Sequence, residues 1–424
     1  MQTAGWRITE DERGPLLQGP RGLVRVDSTV AAVFGEGSAQ DAGRLVQSTA
    51  ARVLRRLGAL EADPGDGEPP RPPAPEAGPR VSVVIATHNG RDLLAACLRS
   101  LAEQHYAPLE IVVVDGGSGD GTRELLRDGH PEVVVVAAAG NPGFAAACNL
   151  GVAAASGEYV LLLNNDTTLE PDAIGQLMRV ALQSPRRLAA VNAMTRRADL
   201  PPVIDSLGNV SGMRGFGAPR YAGFVDFGQF ARDGELFSAS FTAVLIPRLA
   251  WEAVGPLDER YGYYYEDVDW SLRARMGGLH VLPAPHALVY HEGSASVGTR
   301  PSAYKLRLVT RNRVLWAGKV LRARNAAGFA RRYLFEDAER ILLAAREGRG
   351  KDAAAMATAW LEVAVRAPSI YAARQALRQW HVVPDENLFR AAATGPPLLD
   401  GSLPRIDGPA IRGHYLHLES SLGA

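Results

Sequence analysis

From residue 81 the chain alternates short apolar runs with helical stretches. Residues 81–86 form a β-branched apolar run, 110–115 a second that ends in Asp115, 133–138 a third and 159–163 a fourth. Between them, residues 91–104 carry Leu94, Cys97, Leu98 and Leu101 on one helical stripe. Residues 122–127 read as a short helix entered through Ser118, Asp120 and Gly121, and residues 144–155 as a longer one. Strands that are apolar throughout and alternate with helices predict an α/β domain whose mostly parallel sheet is sandwiched by helices. Ligands of such sheets gather at the carboxyl ends of the strands. Polar residues fall there: Thr87, His88 and Asn89 after the first run, Asp115 after the second, Asn141 after the third, and Asn164, Asn165 and Asp166 after the fourth.

The pattern differs on either side. Residues 1–61 read as a small N-terminal domain, with a strand at 22–27 and helical spacing at Val46, Ala50, Val53 and Leu57. Residues 62–80 are crowded with proline, glycine and charge and read as a semi-rigid linker. The catalytic-type domain is expected over 81–300, becoming irregular and rich in glycine and aromatics after about residue 200. Residues 301–385 read as a helical accessory region, and 386–424 as an irregular tail.

Composition narrows the class. A chain of 424 residues suits two or three domains. Its 46 basic and 46 acidic residues cancel, which argues against a nucleic-acid partner. Two cysteines, Cys97 and Cys148, cannot frame a disulfide scaffold and suit a reducing cytoplasm. Trp6, Arg7, Glu10, Asp11 and Glu12 stand where a signal peptide needs an apolar run. No stretch reaches the ~18 apolar residues of a membrane span. The expectation is a cytoplasmic protein, at most peripheral at a membrane through the basic helical stretch 304–324. That stretch equally suits a helix packed on the catalytic domain with a solvated basic face.

Three segments carry candidate chemistry. Tyr159-Val-Leu-Leu-Leu-Asn-Asn-Asp166 runs an apolar strand straight into a carboxylate, which is costly to bury alone. A divalent cation carrying a diphosphate would pair with it; capping of a turn is the other reading. Tyr263-Tyr-Tyr-Glu-Asp-Val-Asp269 places acids at a helix start, where they are electrostatically favoured. One of them could also take a proton from an attacking hydroxyl. Ala287-Leu-Val-Tyr-His291 ends an apolar run in a histidine, suited to metal ligation or to a structural hydrogen bond. A weaker feature, Gly140-Asn-Pro-Gly143 before a helix, offers backbone N–H groups to an anion.

Taken in order, these segments resemble the family 2 glycosyltransferases of the GT-A, Rossmann-like fold, and within them the bacterial rhamnosyl- and galactofuranosyltransferase-like branch. The resemblance rests on Val81-Ser-Val-Val-Ile-Ala-Thr-His-Asn-Gly-Arg91, Val112-Val-Val-Asp-Gly-Gly-Ser-Gly-Asp-Gly121, Asn141-Pro-Gly-Phe144 and Asn149-Leu-Gly151, then on residues 159–167, Val254-Gly-Pro-Leu-Asp258, Tyr265-Glu-Asp-Val-Asp269 and Val289-Tyr-His-Glu-Gly293. It implies that Asp166 and His291 hold Mn²⁺ or Mg²⁺ against the diphosphate. It makes Asp267 the catalytic base, with Glu266 helping to place the acceptor. Thr87, Asn89, Asp115, Gly143, Asn149 and Asn165 would contact a UDP- or dTDP-sugar donor. The acceptor would be a glycan, a lipid-linked sugar or a peptide, and transfer would invert the anomeric carbon. The chain departs from the pattern at Asn164, Gly116 and His88, where Asp, Asn or Asp, and Tyr are usual.

The N-terminal region resembles the small PqqD-like peptide-recognition domains over residues 22–34 and 51–60, which would make a peptide or a peptide-derived cofactor precursor the acceptor; a cap or docking domain is the other reading. Two further classes stay open. A nucleotidyltransferase would need a glycine-rich loop with Lys or Arg after the first strand, which is not found. A non-enzymatic nucleotide-sugar binder would not need Glu266, Asp267 and His291.

Overall fold

The computed structural model describes residues 7–11, 14–19 and 22–25, and residues 71–388 apart from 185–186, 212–216, 223, 225, 227–229, 231–233, 294–301, 381 and 386. The helix expected around 41–60, the end of the 22–27 strand and the tail from 389 lie outside the described residues. Near the N-terminus, β1 (Arg7–Asp11), β2 (Gly14–Gly19) and β3 (Gly22–Arg25) pair as an antiparallel sheet.

The main sheet has nine strands. One half is parallel, in the order β6 (Val134–Ala137), β5 (Ala107–Asp115), β4 (Ala77–Thr87), β7 (Tyr159–Asn164). Val81, Val83, Val84 and Ile85 on β4 are at most 1% exposed, which explains a run with no polar alternation. Helices α1 (Arg91–Ala102), α2 (Thr122–Gly129) and α3 (Phe144–Ala154) connect these strands. On α1 the buried stripe is Leu94, Cys97, Leu98 and Leu101, as the spacing predicts. Register then aligns the strand ends: Thr87 pairs with Asp115, Asp115 with Ala137, and Ala86 with Asn164. The polar residues that follow these strands therefore share one rim.

β4 begins at Ala77, inside the stretch read as linker, because residues 71–80 have partners on the domain. Arg71 pairs with Asp172 at 2.8 Å, Gln176 donates to the Pro72 carbonyl at 2.7 Å, and the Tyr106 hydroxyl donates to that of Pro79 at 2.8 Å.

Past β7 the order continues β13 (Ala243–Pro247), β9 (Leu188–Arg197), β14 (His280–His291), β8 (Thr167–Leu169), with β10 (Ile204–Ser206) also on β9. β9 and β14 are parallel, and the antiparallel pairings involve β8, β10 and β13. A separate two-stranded pair joins β11 (Asn209–Ser211) to β12 (Gly217–Pro219). Helix α4 (Ala173–Gln183) packs on β14 and β9, and α5 (Arg248–Val254) follows β13.

The helical C-terminal region expected from the sequence is present as α7 (Ala303–Val320), α8 (Ala323–Arg346) and α9 (Gly350–Leu377). It shares a core with α6 (Glu266–Met276): Tyr261, Tyr265, Val268 and Leu272 pack with Leu315, Trp316 and Val320. This packing turns part of the basic stretch 304–324 inward. Arg311, Arg313 and Lys319 are 5%, 1% and 5% exposed. They point inward to Glu362, Asp337, and the Asp258–Asp269 pair respectively. A basic group buried against a carboxylate is not available to an anionic surface. At these three positions the alternation of basic with apolar residues reflects buried ion pairs, whereas Arg322 and Arg324 are exposed. Among the described residues no helix is long and apolar enough to cross a membrane.

Candidate active site

Strand pairing brings the first two candidates together. β8 and β14 align Thr167 with His291, and the Glu292 N–H donates to the Asp166 carbonyl at 3.0 Å. Asp166 Oδ2 then lies 3.3 Å from His291 Nε2. The opposite ring nitrogen, Nδ1, is 3.0 Å from Asp205 Oδ2. Burial alone would lower the His291 pKa, but the two flanking carboxylates outweigh it and push it up to about 10. A divalent cation on Asp166 would take the place of the proton on Nε2, since a metal binds the neutral imidazole.

Asp166 Oδ1 is buried and has no hydrogen-bond partner. An orphaned carboxylate oxygen beside an imidazole is the donor set a divalent cation accepts, and Asp205 is placed to fix the ring, as outer carboxylates do for metal-bound histidines. Among the described residues no group of three or more His, Cys, Asp or Glu gathers to hold a metal ion. Asp166 and His291 are a two-ligand set, which leaves coordination positions for phosphate oxygens.

The third candidate is at the start of α6. Asp267 Oδ2 accepts from Asn209 Nδ2 at 2.9 Å, and Oδ1 accepts from its neighbour's N–H, Val268, at 2.7 Å. Burial raises the Asp267 pKa to about 6 against these two hydrogen bonds. Glu266 is pushed well above the carboxylate range, first by burial and then by the adjacent Asp267 charge. Its Oε2 is buried and unpartnered. Burial thus favours the protonated form at both of these neighbouring carboxyls. Asp269 has a different part. It is fully buried and bound by Arg273, Lys319 and Tyr261, which anchors α6.

One segment joins the two clusters. Asp205 touches His291, and Asn209, four residues on, touches Asp267. Four residues span roughly 14 Å when fully extended. Bent by Gly208 at φ +78°, this segment limits how far apart the Asp166–His291 pair and Asp267 can lie.

The rim of the parallel strands supplies the remaining candidates. Thr87 Oγ1 accepts from Asn165 Nδ2 at 3.0 Å. Asp115 accepts from Arg123 Nε at 2.7 Å and from the Ser118 N–H at 3.0 Å. These contacts overcome the effect of burial and hold its carboxyl below the usual range. Asn89, left-handed at φ 53°, bridges to the next loop: its N–H donates to Ser118 and its Oδ1 accepts from Gly119, both at 2.9 Å. The departure at Gly116 has a steric reason. A Cβ there would sit 3.2 Å from the Thr87 carbonyl oxygen and 3.4 Å from His88 Cβ.

Asn149, expected as a donor contact, is engaged within the protein. Its amide donates to the Leu257 carbonyl at 3.0 Å and to Glu259 at 2.9 Å, and its oxygen accepts from the Leu257 N–H at 2.9 Å. Every polar atom of the side chain braces α3 against residues 257–259. Gly143, at φ +86°, packs on Gly262, where an added Cβ would lie 3.3 Å from that carbonyl oxygen. Asn141 Oδ1 accepts both from the Gly143 N–H at 3.1 Å and from the Tyr263 hydroxyl at 3.0 Å. The glycine-rich loop after β6 therefore abuts the tyrosine loop that leads into α6.

Sequence reasoning missed Asp205 and Asn209. Asp205 ends a short apolar run, Val203-Ile204, the same signal that marks Asp166. Asn209 follows a glycine in a turn and carries no comparable mark.

Residues 82–250 match the model of the family described as Glycosyl transferase family 2. An N-acetylglucosaminyl-diphospho-decaprenol L-rhamnosyltransferase of Mycobacterium tuberculosis is 28% identical over 245 residues, 52% of this chain and 79% of that protein. The succinoglycan biosynthesis protein ExoO of Rhizobium meliloti is 32% identical over 122 residues, 28% of this chain and 35% of that protein. The chain thus spans about a third of the length of some curated relatives it matches. A mannosyltransferase of Pyrobaculum calidifontis, solved with GDP-Man and Mn²⁺, is 20% identical, with coverage of 86% and 96% and a TM-score of 0.43. The chain carries a family 2 glycosyltransferase domain.

Proposed function

We propose that the protein is an inverting glycosyltransferase that moves a sugar from a nucleoside-diphosphate donor to an acceptor hydroxyl. The observation that supports this reading is the contact path Asp166–His291–Asp205 to Asn209–Asp267, in which residues 205–209 link the two clusters. The rim residues Thr87, Asn89, Asp115 and Asn165 hold the nucleotide. Asp166 and His291 would hold a divalent cation, Mn²⁺ or Mg²⁺, which neutralises charge on a leaving diphosphate.

Asp267 takes the proton of the acceptor hydroxyl as that oxygen bonds to the anomeric carbon and the bond to the diphosphate breaks. One displacement inverts the centre and needs no protein nucleophile. Burial favours the protonated form of Glu266, and in that form it can donate a hydrogen bond to the acceptor. The mycobacterial relative is named for a lipid-diphosphate-linked sugar, and an acceptor of that class fits a site whose base lies beside exposed tyrosines such as Tyr264, 39% exposed.

A thermal-shift panel tests the reading. UDP, dTDP, GDP and the corresponding sugar nucleotides, each with Mn²⁺, are added to the full chain and to Asp166→Ala. One nucleotide class should raise the melting temperature of the native chain and lose that effect in Asp166→Ala. A shift that survives the substitution, or none with any nucleotide, rules the reading out.

A further inference from the structure

The tyrosine loop before α6 is held in a conformation that its own sequence disfavours. Tyr264 and Tyr265 both adopt left-handed backbone angles, φ 68° and 75°, with no glycine between them and Asp267. Consecutive left-handed residues with a Cβ persist only where their surroundings over-determine them. The surroundings here come from α7. Asn312, fully buried, directs Nδ2 at three carbonyl oxygens of the loop: Tyr261 at 3.1 Å, Tyr263 at 2.8 Å and Tyr264 at 2.8 Å. Its own Oδ1 accepts from Arg311 Nε at 2.8 Å. The Arg311 guanidinium adds a bond to the Tyr261 carbonyl at 2.8 Å and is itself tied to Glu362 on α9 at 2.9 Å.

We propose that Asn312, oriented by Arg311, is a positioning residue for Asp267, and that α7 is thereby part of the active site. The inference rests on Asp267 being the base, as argued above. The two N–H bonds of one amide, shared among three carbonyls, keep the loop turned so that α6 starts where Asp267 meets Asn209. An aspartate at 312 matches the amide in shape but points oxygen at oxygen. The loop then relaxes toward ordinary backbone angles and carries the first turn of α6 with it. Asn312 acts through Asp267 and touches no substrate.

The test uses the full chain as wild type, Asn312→Asp, Asn312→Ala, Asp267→Asn and the Asp267→Asn/Asn312→Asp double variant. Transfer is followed as nucleoside diphosphate released from the sugar nucleotide that gives the largest thermal shift. Asn312→Asp should lower kcat about 10- to 100-fold with donor KM little changed, since a misplaced group loses orientation rather than binding. The double variant should be no slower than Asp267→Asn alone, because residues acting as a unit do not multiply. Amide hydrogen exchange of residues 260–268 should quicken in both 312 variants, with β4 unchanged. Effects that multiply in the double variant, or exchange at 260–268 equal to wild type, overturn the proposal. Full transfer by Asp267→Asn instead overturns the assignment of the base, and the exchange result still judges the clamp.

Discussion

The two sides of the site treat carboxylates in opposite ways. On the rim of the parallel strands, Asp115 receives Arg123 and a backbone N–H, and its pKa is lowered despite burial. At the start of α6, Glu266 and Asp267 pair with no cation among the described residues, and burial raises both. The first arrangement suits a group that must stay anionic to hold a ligand. The second suits groups that must exchange or share a proton near neutral pH. On the proposed function, the contrast separates a binding half from a chemical half, joined by the Asp205–Asn209 segment.

The largest expected effect falls on the chemical half. Asp267→Asn should lower transfer about 10²- to 10⁴-fold, the usual contribution of a general base. Nucleotide-release kinetics measure it, and transfer within a few-fold of wild type would break the division of labour. Next is the joining segment. Asp205→Asn leaves the imidazole without its orienting carboxylate and should weaken Mn²⁺ binding about 10- to 100-fold, measured by calorimetry with UDP present. Unchanged affinity would detach Asp205 from the diphosphate side.

The smallest effect is the pH response. With a folded pKa of about 6, Asp267 loses its role as proton acceptor below that pH, so kcat/KM should fall on the acid side with a limb near 6. Stability should move the other way. A carboxyl whose pKa is raised from 3.8 to about 6 on folding contributes fully below 3.8, and that contribution is lost as pH rises through 6. Urea unfolding from pH 4 to 7 should show a steeper decline in the native chain than in Asp267→Asn, where the raised Glu266 still contributes its own. A decline of equal size in both would place the titration elsewhere.

The binding half was the more legible in the sequence. Parallel strands buried on both faces write continuous apolar runs, and register sets their ends level, so Thr87, Asp115, Asn165 and Asp166 stand out as the polar residues that follow. His291 was found in the same way. The chemical half depends on partners that no local pattern announces. Asn209 and Asp267 are 58 residues apart, Asp205 and His291 86, and Asn312 and Tyr263 49. Asn312 was hidden among Arg311, Arg313 and Lys319, whose charge reads as a solvated face until their buried partners are seen. Asn149 is a motif position whose amide braces α3 against residues 257–259, a structural part that the sequence pattern does not announce.

Crystals of the full chain grown with UDP and Mn²⁺ and measured at the manganese absorption edge give the most direct test of convergence. One anomalous peak is expected in bonding contact with both the Asp166 carboxylate and His291 Nε2, with the diphosphate on the side facing Asp267. A peak bound elsewhere, or a diphosphate lying away from Asp267, would contradict a single shared site.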